Sequence, residues 1–159
     1  MSFTEPIATL YRMRALENED DDIEVIEDIL NELAFNGRNT IIPDLCLVMH
    51  DDIVEPYIND DIIETIFYVA EQNGLEDGLY ELARGIPKML PDAEFCAKRI
   101  HKTLMNSEGL IIPYIRALNK TDESIKQLII DILHEIKEEQ PDRFSEKVKM
   151  IVEQLEPIK

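Results

Sequence analysis

The stretch Asp122-Glu123-Ser124-Ile125-Lys126-Gln127-Leu128-Ile129-Ile130-Asp131-Ile132-Leu133-His134-Glu135-Ile136 decides the fold. Its stripe of Ile125, Leu128, Ile129, Ile132, Leu133 and Ile136 follows the i, i+3, i+4, i+7 spacing of a helix with one face in a core. Asp122 suits an N-cap, and Pro141 stops the run. The next stripe is Phe144, Val148, Ile151, Val152 and Leu155, ended by Pro157. Pro141 forces a tight reversal between the two, so their apolar faces should meet.

The same spacing recurs toward the N-terminus. Ile23, Ile26, Ile29, Leu30 and Leu33 form a helix opened by the acidic run at Asp20 to Asp22 and closed by Gly37 as a glycine C-cap. Ile62, Ile63, Ile66, Phe67 and Ala70 form another, opened by Asn59 or Asp60 and closed by Gly74. Weaker patterns place helices over roughly Glu5 to Leu16, Ile42 to Met49, Leu75 to Arg84, from Asp92 through Leu104, and across Ile111 to Leu118. Strand alternation is almost absent. The expectation is all-α: about nine helices stacked as antiparallel pairs, in a HEAT-like α-solenoid or an irregular bundle, forming one domain over residues 1–159. The solenoid reading rests on four acidic helix openings, whose first large apolar residues (Ile23, Ile62, Phe95 and Ile125) are 39, 33 and 30 positions apart.

Charge is distributed unevenly along this framework. Between Glu17 and Asp77 lie 19 acidic residues and one basic residue, Arg38. The other 98 residues are neutral overall, so the window carries the net charge of −18. Segregated charge builds a field of several kT over one region and attracts a partner of opposite sign. The chain therefore divides into an acidic half, 17–77, and a charge-neutral half, 78–159. Two anionic ridges follow from helical spacing: Glu17, Asp21, Glu24 and Asp28 on one helix, and Asp61, Glu64, Tyr68 and Glu71 on another. Like charges one turn apart cost a helix a few tenths of a kcal/mol per pair, so stability alone would have favoured lysines there. Solvated faces of an acidic protein would look similar; two ridges in the half that lacks bases make a binding surface the competing reading. Asp21, Glu24, Asp28, Asp51, Asp52, Asp61, Glu64, Tyr68 and Glu71 are the candidate partner-binding residues.

Chemistry finds little support. There is no GxSxG, P-loop or GxGxxG pattern, and five glycines leave little for phosphate-cradling loops. His50, Asp51, Asp52 and Glu55 resemble a hard-cation cluster but lack an EF-hand glycine, and read more simply as a loop rim. No catalytic residue, metal or cofactor is assigned. Cys46 and Cys96 sit in apolar stretches without metal or redox spacing and read as buried, reduced thiols. The N-terminal residues lack a basic and apolar leader pattern, and no apolar run reaches the ~20 residues of a membrane span, which points to the cytoplasm. Nucleic acid would be repelled.

The segment Leu47-Val48-Met49-His50-Asp51-Asp52, followed by Asp60-Asp61-Ile62-Ile63-Glu64-Thr65-Ile66-Phe67-Tyr68-Val69-Ala70-Glu71, resembles the all-helical bacterial immunity protein 30 family. Asp51 and Asp52 match its paired aspartates, Glu64 its first glutamate and Glu71 its closing one. Leu90-Pro91-Asp92 and Ala97-Lys98-Arg99-Ile100 are similar to its second half, and the likeness spans about residues 20 to 155. One departure is Val69-Ala70, where the family often has a His-Ile pair. The resemblance implies an antidote to a toxin of polymorphic or contact-dependent inhibition systems, frequently a nuclease. A helical-repeat scaffold for a basic protein or peptide is the alternative, and an enzyme using clustered carboxylates ranks below both.

Overall fold

The computed structural model describes residues 4–14, 16, 21–52 and 57–155. Glu17, Asp20, Glu55 and Pro157, which entered the sequence reading, lie outside these residues. Among the described residues there are nine α-helices and no strand. They are α1 (Thr4–Met13), α2 (Ile23–Asn36), α3 (Ile42–Val48), α4 (Tyr57–Asn73), α5 (Leu75–Gly85), α6 (Glu94–Met105), α7 (Glu108–Asn119), α8 (Glu123–Glu139) and α9 (Pro141–Gln154). Short 3₁₀ turns at Asn39–Ile41 and Ile86–Met89 lead into α3 and out of α5.

The stripes behave as their spacing requires. Ile129, Ile132, Leu133 and Ile136 of α8 are buried, as are Phe144, Val148 and Ile151 of α9. The two helices pack together across the single residue Gln140. Asp122 caps α8, its carboxylate accepting from the Ile125 amide at 3.0 Å and the Ser124 hydroxyl at 2.7 Å. Asp22 caps α2 through the Glu24 amide at 2.9 Å. A cap of this kind stabilises by about 1 kcal/mol.

Contacts run along two rows. The odd helices touch in succession, α1 to α3 to α5 to α7, with α7 also meeting α9. The even helices pair as α2 with α4 and α6 with α8, but α4 and α6 barely touch. Helix α5 is the hub, packed on α3, α4 and α7. Its glycines permit this. A Cβ at Gly78 would lie 2.4 Å from the Ala70 Cβ of α4, and one at Gly85 would lie 2.7 Å from the Cys46 Sγ of α3. The break in the even row, beside α4, shapes the surface described next.

Three local expectations are corrected. Helix α4 begins at Tyr57, so Asn59 and Asp60 fall inside its first turn; Asn59 instead bonds both backbone groups of His50, at 2.9 and 3.4 Å. Helix α6 begins after Asp92, with Ala93 at the cap position, and Phe95 is 69% exposed. Two of the four acidic openings are thus not caps, and the 39-33-30 spacing does not mark equivalent core positions. Gly37 ends α2 at φ −71°, in extended rather than left-handed backbone; Gly74, between α4 and α5, does take a positive φ of 101°.

Candidate partner-binding surface

Helix α4 buries Ile58, Ile62, Ile63, Ile66, Phe67, Val69 and Ala70 and turns Glu64, Tyr68 and Glu71 outward. A groove lies on each side of this outer face. The first, about 440 Å³, runs between α2 and α4 and is lined by Glu27, Leu30, Asn31, Ala34 and Phe35 opposite Asp61, Glu64, Thr65 and Tyr68. The second, about 500 Å³, occupies the break between α4 and α6–α7. Its apolar floor is Ile63, Phe67 and Leu110; Asp60, Glu64, Tyr68, Glu71, Arg99, Thr103 and Ser107 complete it. Glu64 and Tyr68 line both grooves and stand on the saddle between them.

The saddle carries an exposed aromatic pair. Phe35 of α2, 77% exposed, meets Tyr68 edge to face, with centroids 6.3 Å apart and planes at 72°. Tyrosine is among the residue types enriched in protein-interface hot spots. Sequence reading found Tyr68 but not Phe35, which sits past the apolar stripe of α2. Its spacing of four from Asn31 and eight from Glu27 was the available signal.

Around this pair the carboxylates crowd. Burial and the neighbouring charges of Glu64, Glu27 and Asp60 push the Asp61 carboxyl above its ordinary value. Glu24, Glu27, Asp28, Glu32, Asp61, Glu64 and Glu71 form no ion pair with a cation among the described residues. The second groove differs: Arg99 of α6 reaches across it to Asp60 at 3.0 Å.

The nine residues nominated from sequence separate into three settings. Asp61, Glu64, Tyr68 and Glu71 line one or both grooves. The expected ridge of Glu17, Asp21, Glu24 and Asp28 on one helix is corrected, because α2 begins at Ile23 after its Asp22 cap and Asp21 precedes it; Glu24 and Asp28 are exposed, while Glu27, not among the nominated residues, is the α2 acid that lines the groove. Asp51 and Asp52 lie on the loop after α3. The two oxygens of Asp51 accept from the Phe95 amide at 2.9 Å and the Cys96 amide at 3.1 Å, so Asp51 caps α6 from a distance in sequence. Asp52 is exposed and donates its amide to His50 Nδ1 at 3.0 Å. Among the described residues no group of three or more His, Cys, Asp or Glu is arranged to hold a metal ion.

Both cysteines are buried and unpaired, and burial pushes each thiol up to about 12. The buried pair His101 and Tyr114, unseen in the sequence, joins α6 to α7. The Ala97 carbonyl, 2.7 Å from Nδ1, can only accept, so Nδ1 carries the proton; the Tyr114 hydroxyl then donates to Nε2 at 2.6 Å. Burial lowers the His101 pKa to about 4 and raises that of Tyr114. No helix among the described residues is long and apolar enough to cross a membrane.

Exposed aromatic rings and acids without a cation partner among the described residues stand together on a saddle between two grooves. The chain belongs to the immunity protein 30 family, whose model matches residues 12–114. It is an immunity protein, a class whose members bind a cognate toxin. The matched span includes every residue that lines the two grooves and stops short of α8 and α9. No curated protein and no solved structure matches the chain.

Proposed function

We propose that this immunity protein binds and neutralises a basic toxin domain, a nuclease of a polymorphic-toxin or contact-dependent inhibition system, in the cytoplasm. The observation that carries the reading is the set of unpaired carboxylates of Glu27, Asp61 and Glu64 around the exposed Phe35–Tyr68 pair. A nuclease must hold phosphates, so its cleft is basic, and an anionic ridge covers it by charge complementarity. The acids set the encounter rate, and the aromatic pair sets the lifetime of the complex.

Within this reading Asp61, Glu64, Tyr68 and Glu71 form the centre of the interface. Asp21, Glu24, Asp28 and Asp52 form its rim. Asp51 adds charge while its oxygens hold α6. The protein acts as one domain and as a stoichiometric binder rather than an enzyme. It needs no cofactor and contacts no nucleic acid directly.

The test is a titration of the cognate toxin domain, sought in the neighbouring coding sequence, with wild type and with Asp61→Lys combined with Glu64→Lys. The double reversal places two repelling charges at the centre and should cost at least about 3 kcal/mol, roughly 100-fold in affinity. Salt raised from about 50 to 500 mM should slow association far more than it speeds dissociation. A double variant that binds like wild type, with an association rate indifferent to salt, would sink the reading.

A further inference from the structure

The two grooves beside α4 differ in one respect that identifies an occupant. On the α6 side the protein supplies its own arginine, Arg99, which pairs with Asp60 at 3.0 Å. On the α2 side the lining holds no lysine or arginine among the described residues. Glu27 approaches from one wall, Asp61 and Glu64 from the other, and the Tyr68 and Phe35 rings belong to the same lining. Ala34 and the little that Leu30 exposes add apolar lining.

We propose that the α2–α4 groove is a receptor for one arginine side chain of the toxin, its guanidinium stacked on the Tyr68 ring and forked between the carboxylates of Glu27, Asp61 and Glu64. The proposal deepens the reading of the protein as an antidote to a basic toxin, and rests on it.

The chemistry favours arginine over lysine. A guanidinium is planar and weakly hydrated, so it stacks on an aromatic face at little desolvation cost. Its five N–H donors lie in a fixed fork that satisfies carboxylates on two walls at once. An ammonium is a compact, strongly hydrated point charge and would satisfy one wall while leaving the ring surface wet. The methylene stem of arginine has the apolar surface of Ala34 and the exposed edge of Leu30 to lie against. The volume of about 440 Å³ leaves room for the side chain and the peptide on either side of it. The crowding that raises the Asp61 carboxyl is relieved when the cation arrives.

The experiment has two arms. In the first, N-acetyl-arginine-methylamide is titrated into the full chain and followed by NMR, with the lysine and citrulline analogues as comparators. Citrulline keeps the shape of arginine without its charge. The expected result is saturable shifts at the Phe35 and Tyr68 rings and at Glu27, Asp61 and Glu64. The lysine analogue should bind at least about fivefold more weakly, and the citrulline analogue should produce no saturable shift. Glu27→Gln combined with Asp61→Asn should abolish the arginine response while leaving the helical circular dichroism unchanged. Equal responses to citrulline, shifts spread over distant acids such as Asp44 and Asp77, or an unaltered response in the double variant would each overturn the receptor.

In the second arm the cognate toxin domain is titrated against the double variant and against Phe35→Ala, each expected to weaken binding at least tenfold. Full affinity in both would overturn the proposal even if the toxin is the correct partner. An intact arginine response in a protein that binds no toxin would retain the receptor and discard the toxin reading.

Discussion

Helices α4 and α8 are each 17 residues long, each carry an acidic outer face, and treat that acid differently. On α8, Glu135 and Glu139 both receive Lys98 from α6, at 3.3 and 2.8 Å. This raises the lysine above its ordinary value and lowers Glu139 below its own. On α4, Asp61, Glu64 and Glu71 pair with no cation among the described residues, and Asp61 is pushed up instead of down. The helical framework therefore does not dictate an unpaired acidic face, since the same chain interleaves its charges elsewhere. Stability would be served by a lysine on α2 opposite Asp61. Asn31 and Glu27 line the groove there instead.

The comparison extends to pH, where the two halves should respond in opposite directions. His101 in α6 is fully buried, with a pKa lowered from 6.5 to about 4. A depressed histidine keeps its contribution above pH 6.5 and loses it as the pH falls to 4, because the unfolded chain takes the proton first. That loss is about 3 kcal/mol. Asp61 has the opposite sign: its cost is present at neutral pH and is relieved as the pH falls through its raised pKa. His101→Gln keeps a donor and an acceptor but does not titrate. Urea unfolding of wild type and His101→Gln at pH 7, 5.5 and 4 should show the stability difference shifting by about 3 kcal/mol in favour of the variant at pH 4. Parallel curves would mean that the His101–Tyr114 pair carries no buried neutral imidazole.

Next in size is the aromatic anchor. Tyr68→Ala should weaken toxin binding by about 2 kcal/mol, near 30-fold, chiefly through faster dissociation. The ring is 39% exposed in the free protein and fills no core space, so the melting temperature should move little. A large loss of stability instead would assign the Phe35–Tyr68 contact to folding and remove it from the binding surface.

Much of this was legible in the sequence, for reasons that can be traced to residues. The α8 and α9 stripes were readable because burial on one side of a helix leaves a period of 3.6, and Asp122 and Pro141 fix the ends. The outward ridge of Asp61, Glu64, Tyr68 and Glu71 followed from the same arithmetic applied to the other side of α4. Long-range events left no such mark. Asp51 caps α6 across 44 residues, so paired aspartates on a loop read as surface charge when one of them holds a helix end. Glu27 and Phe35 escaped because one α2 flank was read as Glu17, Asp21, Glu24 and Asp28, whereas the groove takes the neighbouring flank. Which flank faces α4 depends on how the two helices pack, and neither helix encodes that alone. His101 and Tyr114 looked like scattered residues because their pairing exists only once α6 lies on α7.

The smallest expected effects make the sharpest comparison of α4 with α8. Lys98→Met removes the cation from Glu135 and Glu139 but keeps most of the side-chain bulk. Its partners are about half exposed, so solvent screens much of the interaction and the loss of stability should stay below about 1 kcal/mol, with toxin binding unchanged. Asp61→Asn should do the reverse. Removing one charge from the crowd of Glu64, Glu27 and Asp60 should raise stability at pH 7 by a few tenths, about 0.3 kcal/mol. That gain should shrink with added salt and vanish as the pH falls through the raised Asp61 pKa, where the wild-type carboxyl is already neutral. Toxin binding should weaken in the same variant. A substitution that stabilises the free protein while weakening its complex marks a side chain retained for the partner rather than for the fold. If Asp61→Asn lowers stability and leaves binding intact, the acid on α4 is as well accommodated as the acid on α8, and the difference between the two faces has no functional meaning.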